Sequence, residues 1–291
     1  MDAAELIAKV RKIEIKTKGI SRDLFSGEYH SVFKGRGMAF SEVREYQVGD
    51  DIRSIDWNVT ARLNHPYIKV FEEERELTVM LLVDVSESES FGTSTMLKKE
   101  MITELVAVLA FSAIQNNDKI GMILFSNKIE KFIPPKKGRT HILRIIRELL
   151  EFKPENSVTD VSTAISYFLN VIKKRSIVFI ISDFFSPPFE EPLKISSKKH
   201  DTIAVNIYDI RESSIPDIGL AFIKDAETQK RMWVDTSSKE FRKRYEQWWN
   251  SKQNYLKNMF KMNGVDLIQL RTDESFIKPL QKFFREREKR K

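Results

Sequence analysis

The 291-residue chain contains no cysteine. That excludes a disulfide framework, a thiolate-bound metal and a cysteine nucleophile, and it is compatible with a reducing compartment. Histidine is nearly as scarce: His30, His65, His141 and His200 are scattered, without the paired spacing of a zinc site or a nearby nucleophile motif. Each is expected to be an isolated polar or capping residue. Glycine and proline, at 10 and 9 residues, are too sparse for a flexible linker, and neither a repeat nor a low-complexity tract is present. Long apolar runs are missing as well. The longest, Leu105–Phe111, falls far below the ~20 residues a membrane-crossing helix needs, so no membrane span is expected. The opening "MDAAELIAKVRKIEIKTKG" puts acids first and then Leu6, Ile7, Val10 and Ile13 at helical spacing, which is not the layout of a secretory leader. The cytoplasm is the expected location.

What is present is the composition of an ordinary globular protein, 41% hydrophobic and 31% charged. The net charge of +7 raises the question of nucleic acid. Charge is nevertheless balanced over the first 75 residues, and part of the excess gathers in Arg271–Lys291. No aromatic-rich basic strand or recognition helix accompanies it, so solvated ends are expected and a nucleic-acid partner is not.

After the first helix, residues 25–75 alternate short β-prone pieces with turn signals such as Gly35-Arg36-Gly37, Val48-Gly49-Asp50 and Asn64-His65-Pro66. Gly35-Arg36-Gly37 is a tight turn and not a phosphate loop, since it lacks the lysine and hydroxyl residue at P-loop spacing. Asp50, Asp51, Arg53, Asp56, Trp57 and Arg62 are expected to form a charge-paired turn locking this piece to the sheet.

From Thr78 onward, β-branched strands alternate with helix-length segments, the pattern of a mostly parallel sheet covered on both faces. The expected architecture is therefore α/β, a doubly wound, mostly parallel sheet with helices on both faces, preceded by a small β-rich N-terminal region. The expected division is 1–77, helix and β-rich region packed on the main domain, and 78–291, the α/β domain. "GLAFIKDAETQKRMWVDT" is expected as a hairpin at the sheet edge. In the helix from Lys239 to Phe260, the stripe Phe241, Tyr245, Trp248, Leu256 and Met259 is expected to face the core, with Trp249 beside it a candidate partner contact.

The chemistry concentrates at strand ends. "VMLLVDVSESES" runs an apolar strand into Asp84, Ser86 and Ser88, and "SIVFIISD" ends a second strand at Asp183. In an open α/β sheet, ligands bind in the crevice beyond the carboxyl ends of the strands. Taken singly, Asp and Ser after a strand are good turn and capping residues. Thr159, followed by Asp160 at the start of a helix, adds a third oxygen-bearing loop where one fold would gather them. Hydroxyls and carboxylates without imidazole or thiolate suit Mg²⁺, Mn²⁺ or Ca²⁺. If Ser86, Ser88 and Thr159 bound the ion directly, with Asp84 and Asp183 acting through water, the ion would keep an open position for a partner's carboxylate. Binding would follow, without a reaction.

D-x-S-x-S, then a threonine, then an aspartate on an α/β alternation resembles the metal-ion-dependent adhesion site of von Willebrand factor type A domains. Upstream, "GEYHSVFKGRGMAFSEVREYQVGDDIRSIDWNVTARLNHPYIKVFEEERELTVMLLVDVSES" resembles the bacterial family catalogued as domain of unknown function 58, densely over about residues 25–95. The resemblance implies a non-enzymatic interaction module, cytoplasmic or membrane-tethered, with Asp84, Ser86, Ser88, Thr159 and Asp183 as metal residues. It also implies a MoxR-type AAA+ ATPase as partner in chaperone-like assembly or maturation, or a client presenting an acidic residue to the metal. Two features depart from the adhesion pattern: Glu87 and Glu89 add negative charge beside the ion, and no glycine precedes Thr159.

Two alternatives remain open at the level of sequence. Asp84, Glu104, Asp160 and Asp183 would form the acidic cluster of a metal-dependent nuclease, which needs carboxylates as direct ligands and makes the serines incidental. A scaffold that retains the site without filling it is the other.

Overall fold

Strand β3 (Thr78–Asp84) organises the α/β unit: every residue from Val79 to Asp84 is buried, which only a central strand covered on both faces permits. The computed structural model describes residues 3–25, 39–72, 77–86, 97–153, 158–224 and 231–290. Around β3 lie β4 (Lys119–Phe125), β5 (Ile129–Lys136), β6 (Ile177–Ser182), β7 (Asp201–Tyr208) and β10 (Asp266–Arg271), in the order β10-β7-β6-β3-β4-β5. All neighbours run parallel except β5, which returns antiparallel on β4. Gly121 permits that return, because a Cβ there would stand 2.8 Å from both the Ile133 carbonyl and the Met80 sulfur. From β3 the chain winds first to β4 and later to β6 on the other side. The β3–β6 boundary is therefore the topological switch point of a doubly wound sheet, where a crevice opens beyond the strand ends.

Alternation along β3 divides the core in two. Met80 and Leu82 pack into one layer with Ile165 and Phe168 of α5 (Val161–Val171), Leu193 of α6 (Glu190–Lys199) and Phe260 of α8 (Lys239–Met262). Covering the opposite face is α3 (Lys98–Gln115), buried almost all round from Met101 to Ala113 because a second layer of helix lies over it. That second layer is α1 (Ala3–Phe25), which also meets α4 (Arg139–Glu151) and α9 (Ile277–Lys289). Leu6 and Ile13 of α1 are buried as their spacing predicts, whereas Ile7 is 68% exposed. Lys16 holds Glu104 of α3 at 2.5 Å, and Arg139 of α4 holds Glu14 at 2.6 Å.

The division at residue 77 needs correction for this reason. The chain forms two compact units, Met1–Val32 with Thr78–Lys291, and Phe33–Leu77. The amphipathic stripe of α1 is used on α3, so the first helix groups with the sheet and not with the β-rich segment.

In the smaller unit β1 (Ala39–Glu45) and β2 (Tyr67–Glu72) make an antiparallel ribbon with a register shift between Phe40 and Glu42. Between them lie a 3-10 turn (Ile52–Ser54) and α2 (Trp57–Leu63). The acids expected to lock this piece to the sheet work locally. Asp50 accepts from Arg44 at 2.7 and 2.9 Å, Asp51 caps the 3-10 turn, and Asp56 caps α2 from the amides of Asn58 and Val59. Asn64 ends α2 in the left-handed region, at φ 56°.

The hairpin expected at the sheet edge is a separate two-stranded sheet, β8 (Leu220–Lys224) with β9 (Arg231–Asp235). The place beside β7 is taken by β10. Phe222 and Trp233 meet across the hairpin, ring centroids 4.9 Å apart, on an exposed face. Among the described residues no helix is long and apolar enough to cross a membrane.

Candidate functional site

Asp84 ends β3 with its carboxylate buried at the switch point. One oxygen, Oδ1, accepts the Ser86 amide at 3.0 Å in a local turn that a D-x-S sequence favours. The other, Oδ2, accepts the hydroxyl of Ser182 at 2.7 Å, from the last residue of β6. Thr159 reaches the same place from the loop before α5. That loop is pinned to the end of β4 by the Asp160 amide on the Ser126 carbonyl, and Asp160 itself caps α5 through the Thr163 amide. The Thr159 hydroxyl donates to Ser86 Oγ at 2.9 Å and lies 3.5 Å from Asp84 Oδ1. Asp84, Ser86 and Thr159 are thus brought together, all essentially without solvent contact.

Asp183, one residue beyond β6, has a different setting. Its Oδ1 accepts the Phe185 amide at 3.0 Å, in a turn where Phe184 takes a positive φ of 56°. Its Oδ2 accepts from Lys98 at 3.0 Å. Lys98, the first residue of α3, is completely buried, and its ammonium also meets Glu212 Oε1 at 2.6 Å. Glu212 lies in the short helix α7 (Ile210–Ser213), where it accepts the Asp209 amide in a capping box. Tyr245 of α8 donates to the Glu212 carbonyl at 3.0 Å.

The two strand-end carboxyls therefore differ in charge balance. Burial, then the neighbouring negative charge of Asp183, pushes the Asp84 carboxyl up to about 6, against the hydrogen bonds from Ser182 and Ser86. Burial pushes Asp183 the same way, but Lys98 and the Phe185 amide outweigh it and hold Asp183 below the usual carboxylate range. Glu212 is raised, by burial first, despite Lys98.

Four of the five sequence-predicted metal residues can be placed: Asp84, Ser86 and Thr159 form one cluster, and Asp183 stands beside it, paired to Lys98. Ser88, with Glu87 and Glu89, lies outside the described residues. The donor set fits a small hard cation. Ligand distances of 2.0–2.1 Å in an octahedral magnesium shell put adjacent oxygens roughly 2.9 Å apart. Ser86 Oγ and Thr159 Oγ1, joined by a hydrogen bond at 2.9 Å, are close enough to share one such ion. Among the described residues no group of three or more His, Asp or Glu side chains gathers as a metal cluster. The four acids of the nuclease alternative do not gather either: Glu104 is bound to Lys16 on the outer side of α3, and Asp160 is turned to its own helix.

Sequence reasoning missed Ser182, Lys98 and Glu212. Ser182 was visible as the hydroxyl before Asp183, but a lysine at a helix start carries the signature of a surface residue. The tryptophans of α8 are exchanged relative to expectation: Trp249 is buried and Trp248 is 48% exposed. Trp249 is in helical phase with Leu256 and Phe260, and Trp248 lies about 100° away. Both rings lie 6.0 Å from that of Phe185, beside Asp183, with Lys252 over the Phe185 ring.

The profile of the family described as "Protein of unknown function DUF58" matches residues 42–255. The chain belongs to the DUF58 family. The match runs from Glu42 in the smaller unit to Tyr255 in α8, so it includes most of the β-rich segment together with five of the six strands of the large sheet. Among curated relatives, the uncharacterized protein Rv1480 of Mycobacterium tuberculosis is 29% identical over 231 residues, covering 78% of this chain and 73% of its own length. Solved structures that resemble this DUF58 chain include an aerotolerance-related membrane protein from Bacteroides fragilis, at TM-score 0.49 and 15% identity, covering 74% of this chain and 100% of that one. The SpRpn10 VWA domain gives TM-score 0.41 and 8% identity, over 71% and 94% of the two chains. At these values the likenesses carry no inference about function. The fold itself is an α/β arrangement with a six-stranded, mostly parallel sheet.

Proposed function

We propose that this DUF58 chain is a non-enzymatic protein-interaction module that takes up a divalent cation, Mg²⁺ or else Mn²⁺ or Ca²⁺, at the edge between β3 and β6. The observation that carries this reading is the pair of buried hydroxyls, Ser86 and Thr159, 2.9 Å apart over the buried Asp84 carboxylate. Ser86 and Thr159 would hold the ion, with Ser88 as a third hydroxyl, while Asp84 and Asp183 supply compensating charge. A bound ion supplies an electrophilic position for a carboxylate of a partner. Ser182 holds Asp84 in place, and the Asp160 amide on the Ser126 carbonyl holds the loop that carries Thr159. The partner suggested by the family resemblance is a MoxR-type AAA+ ATPase, or a client protein offering an acidic side chain, in the cytoplasm.

Titration calorimetry with Mg²⁺ and Mn²⁺ tests the reading. Wild type should give saturable heat that Asp84→Ala and Ser86→Ala each abolish, and a pull-down from the native cell should lose its partner with chelator. Equal heats in all three proteins would sink the proposed coordination. A second reading has an observation in its favour: Lys98 already supplies a cation to Asp183, as a scaffold with a permanently empty site would require. No heat and no thermal shift with either ion would select it.

A further inference from the structure

The residue that the adhesion-type arrangement does not call for is Lys98. Its side chain is completely buried, and its ammonium bridges Asp183 at 3.0 Å and Glu212 at 2.6 Å. A buried ammonium is costly unless carboxylates compensate it, so this cation is held by design of the fold and not by chance contact. It reaches the metal edge from the N-terminus of α3, whereas Glu212 reaches it from α7, beyond β7. Three elements thus meet on one charge, just beyond the end of β6, the parallel neighbour of the strand β3 that ends in Asp84.

We propose that Lys98 is a built-in competitor for the divalent ion, paired with Asp183 so that the ion binds only by drawing Asp183 away from the ammonium, which Glu212 then retains. The inference rests on the metal reading above and deepens it. Two electrostatic effects act in the same direction. Lys98 occupies an oxygen of Asp183, and its positive charge repels a second cation in a medium of low dielectric constant. Glu212 gives the displaced ammonium a second carboxylate, so the exchange does not strand a buried charge. Because Glu212 also binds the Asp209 amide and, through its carbonyl, the Tyr245 hydroxyl, ion uptake is felt at α7 and at α8, where the exposed Trp248 lies 5.4 Å from the Tyr245 ring. The arrangement sets a threshold for the ion and links its arrival to a surface beyond the site.

Mn²⁺ affinity of the full chain, measured by calorimetry and by thermal shift, tests this. Lys98→Met should bind Mn²⁺ about tenfold more tightly than wild type or better, because it removes the repulsion of a buried positive charge in a medium of low dielectric constant. Its thermal shift with saturating Mn²⁺ should exceed the wild-type shift, since the ion then replaces the missing charge. Equal or weaker binding by a folded Lys98→Met would overturn the competitor role while leaving the metal reading intact, because a brace that merely positions Asp183 loses affinity when removed. If Lys98→Met does not fold, Glu212→Gln decides: with one holding carboxylate neutralised, Lys98 stays on Asp183 and Mn²⁺ affinity should fall severalfold. An unchanged affinity in Glu212→Gln would overturn the proposal. Absence of Mn²⁺ binding in wild type and both variants, with native circular dichroism, overturns the metal reading and this inference together.

Discussion

Asp84 and Asp183 stand at the carboxyl ends of neighbouring parallel strands, and both are buried, but the fold treats them in opposite ways. Asp84 is surrounded by hydroxyls and an amide, from Ser182, Thr159 and Ser86, and its carboxyl is pushed up to about 6 by burial and by Asp183. Asp183 receives an amide and a buried ammonium, and is held below the ordinary range even though burial acts the other way. Position in the sheet therefore does not set the chemistry of a strand-end acid. The elements that close the edge do: a strand end and a loop bring neutral hydroxyls to one, and the start of α3 brings a cation to the other.

The largest effect should come from breaking the paired side. Asp183→Ala leaves Lys98 buried with one of its carboxylates gone, and should cost about 3 kcal/mol or more in urea unfolding at neutral pH with chelator present. Asp84→Asn keeps a hydrogen-bond acceptor and removes a charge that burial disfavours, so it should cost under about 1 kcal/mol under the same conditions. Equal losses would erase the distinction between the two acids.

A smaller effect sharpens the hydroxyl side. Ser182 donates to Asp84 and on the proposed reading would position that carboxylate for the ion, so Ser182→Ala should weaken Mn²⁺ binding about tenfold while leaving the fold within roughly 1–2 kcal/mol of wild type. Calorimetry beside a urea titration separates the two quantities. A loss of stability without loss of affinity would make Ser182 structural only.

The smallest effect extends the comparison to the opposite edge of the sheet, where His200 precedes β7. Its ring lies 4.6 Å from that of Phe168, with no hydrogen-bond partner for Nδ1 among the described residues. Burial, then Lys199 and Arg175, pushes its pKa down to about 4 from 6.5. The unfolded chain therefore takes up a proton as pH falls through 6.5 while the folded chain does not until about 4. The stability contributed by neutral His200 is complete above 6.5 and is lost as pH falls toward 4. His200→Phe, which keeps a ring against Phe168, should remove on the order of 1 kcal/mol of that pH dependence between pH 7 and 5. Thermal melts of both proteins across that range check it, and parallel pH profiles would refute it.

The alternation of strands and helices was legible to within a few residues along the α/β unit, because periodicity is a local property and a buried strand writes it in an unbroken apolar run. Asp84, Ser86 and Thr159 were legible for the same reason: strand ends and helix starts can be read from the chain, and the sheet rule says which edge they share. The placement of α1 was not, since an amphipathic helix states that it must be covered but not by what. The hairpin at Gly219 was read as a hairpin, but whether it joins the large sheet depends on β10 taking the place beside β7.

The sequence by itself determined the DUF58 character of the chain, the class of its fold, the absence of thiolate chemistry and three oxygen-bearing side chains at one sheet edge. Only the tertiary structure decided that Trp249 faces inward while Trp248 faces solvent, and that Lys98 is wholly buried against Asp183, 85 positions away, and against Glu212. The physical reason is the same for both: a side chain's chemistry is written locally, but its charge or apolar surface acquires meaning only from the partners that packing brings to it.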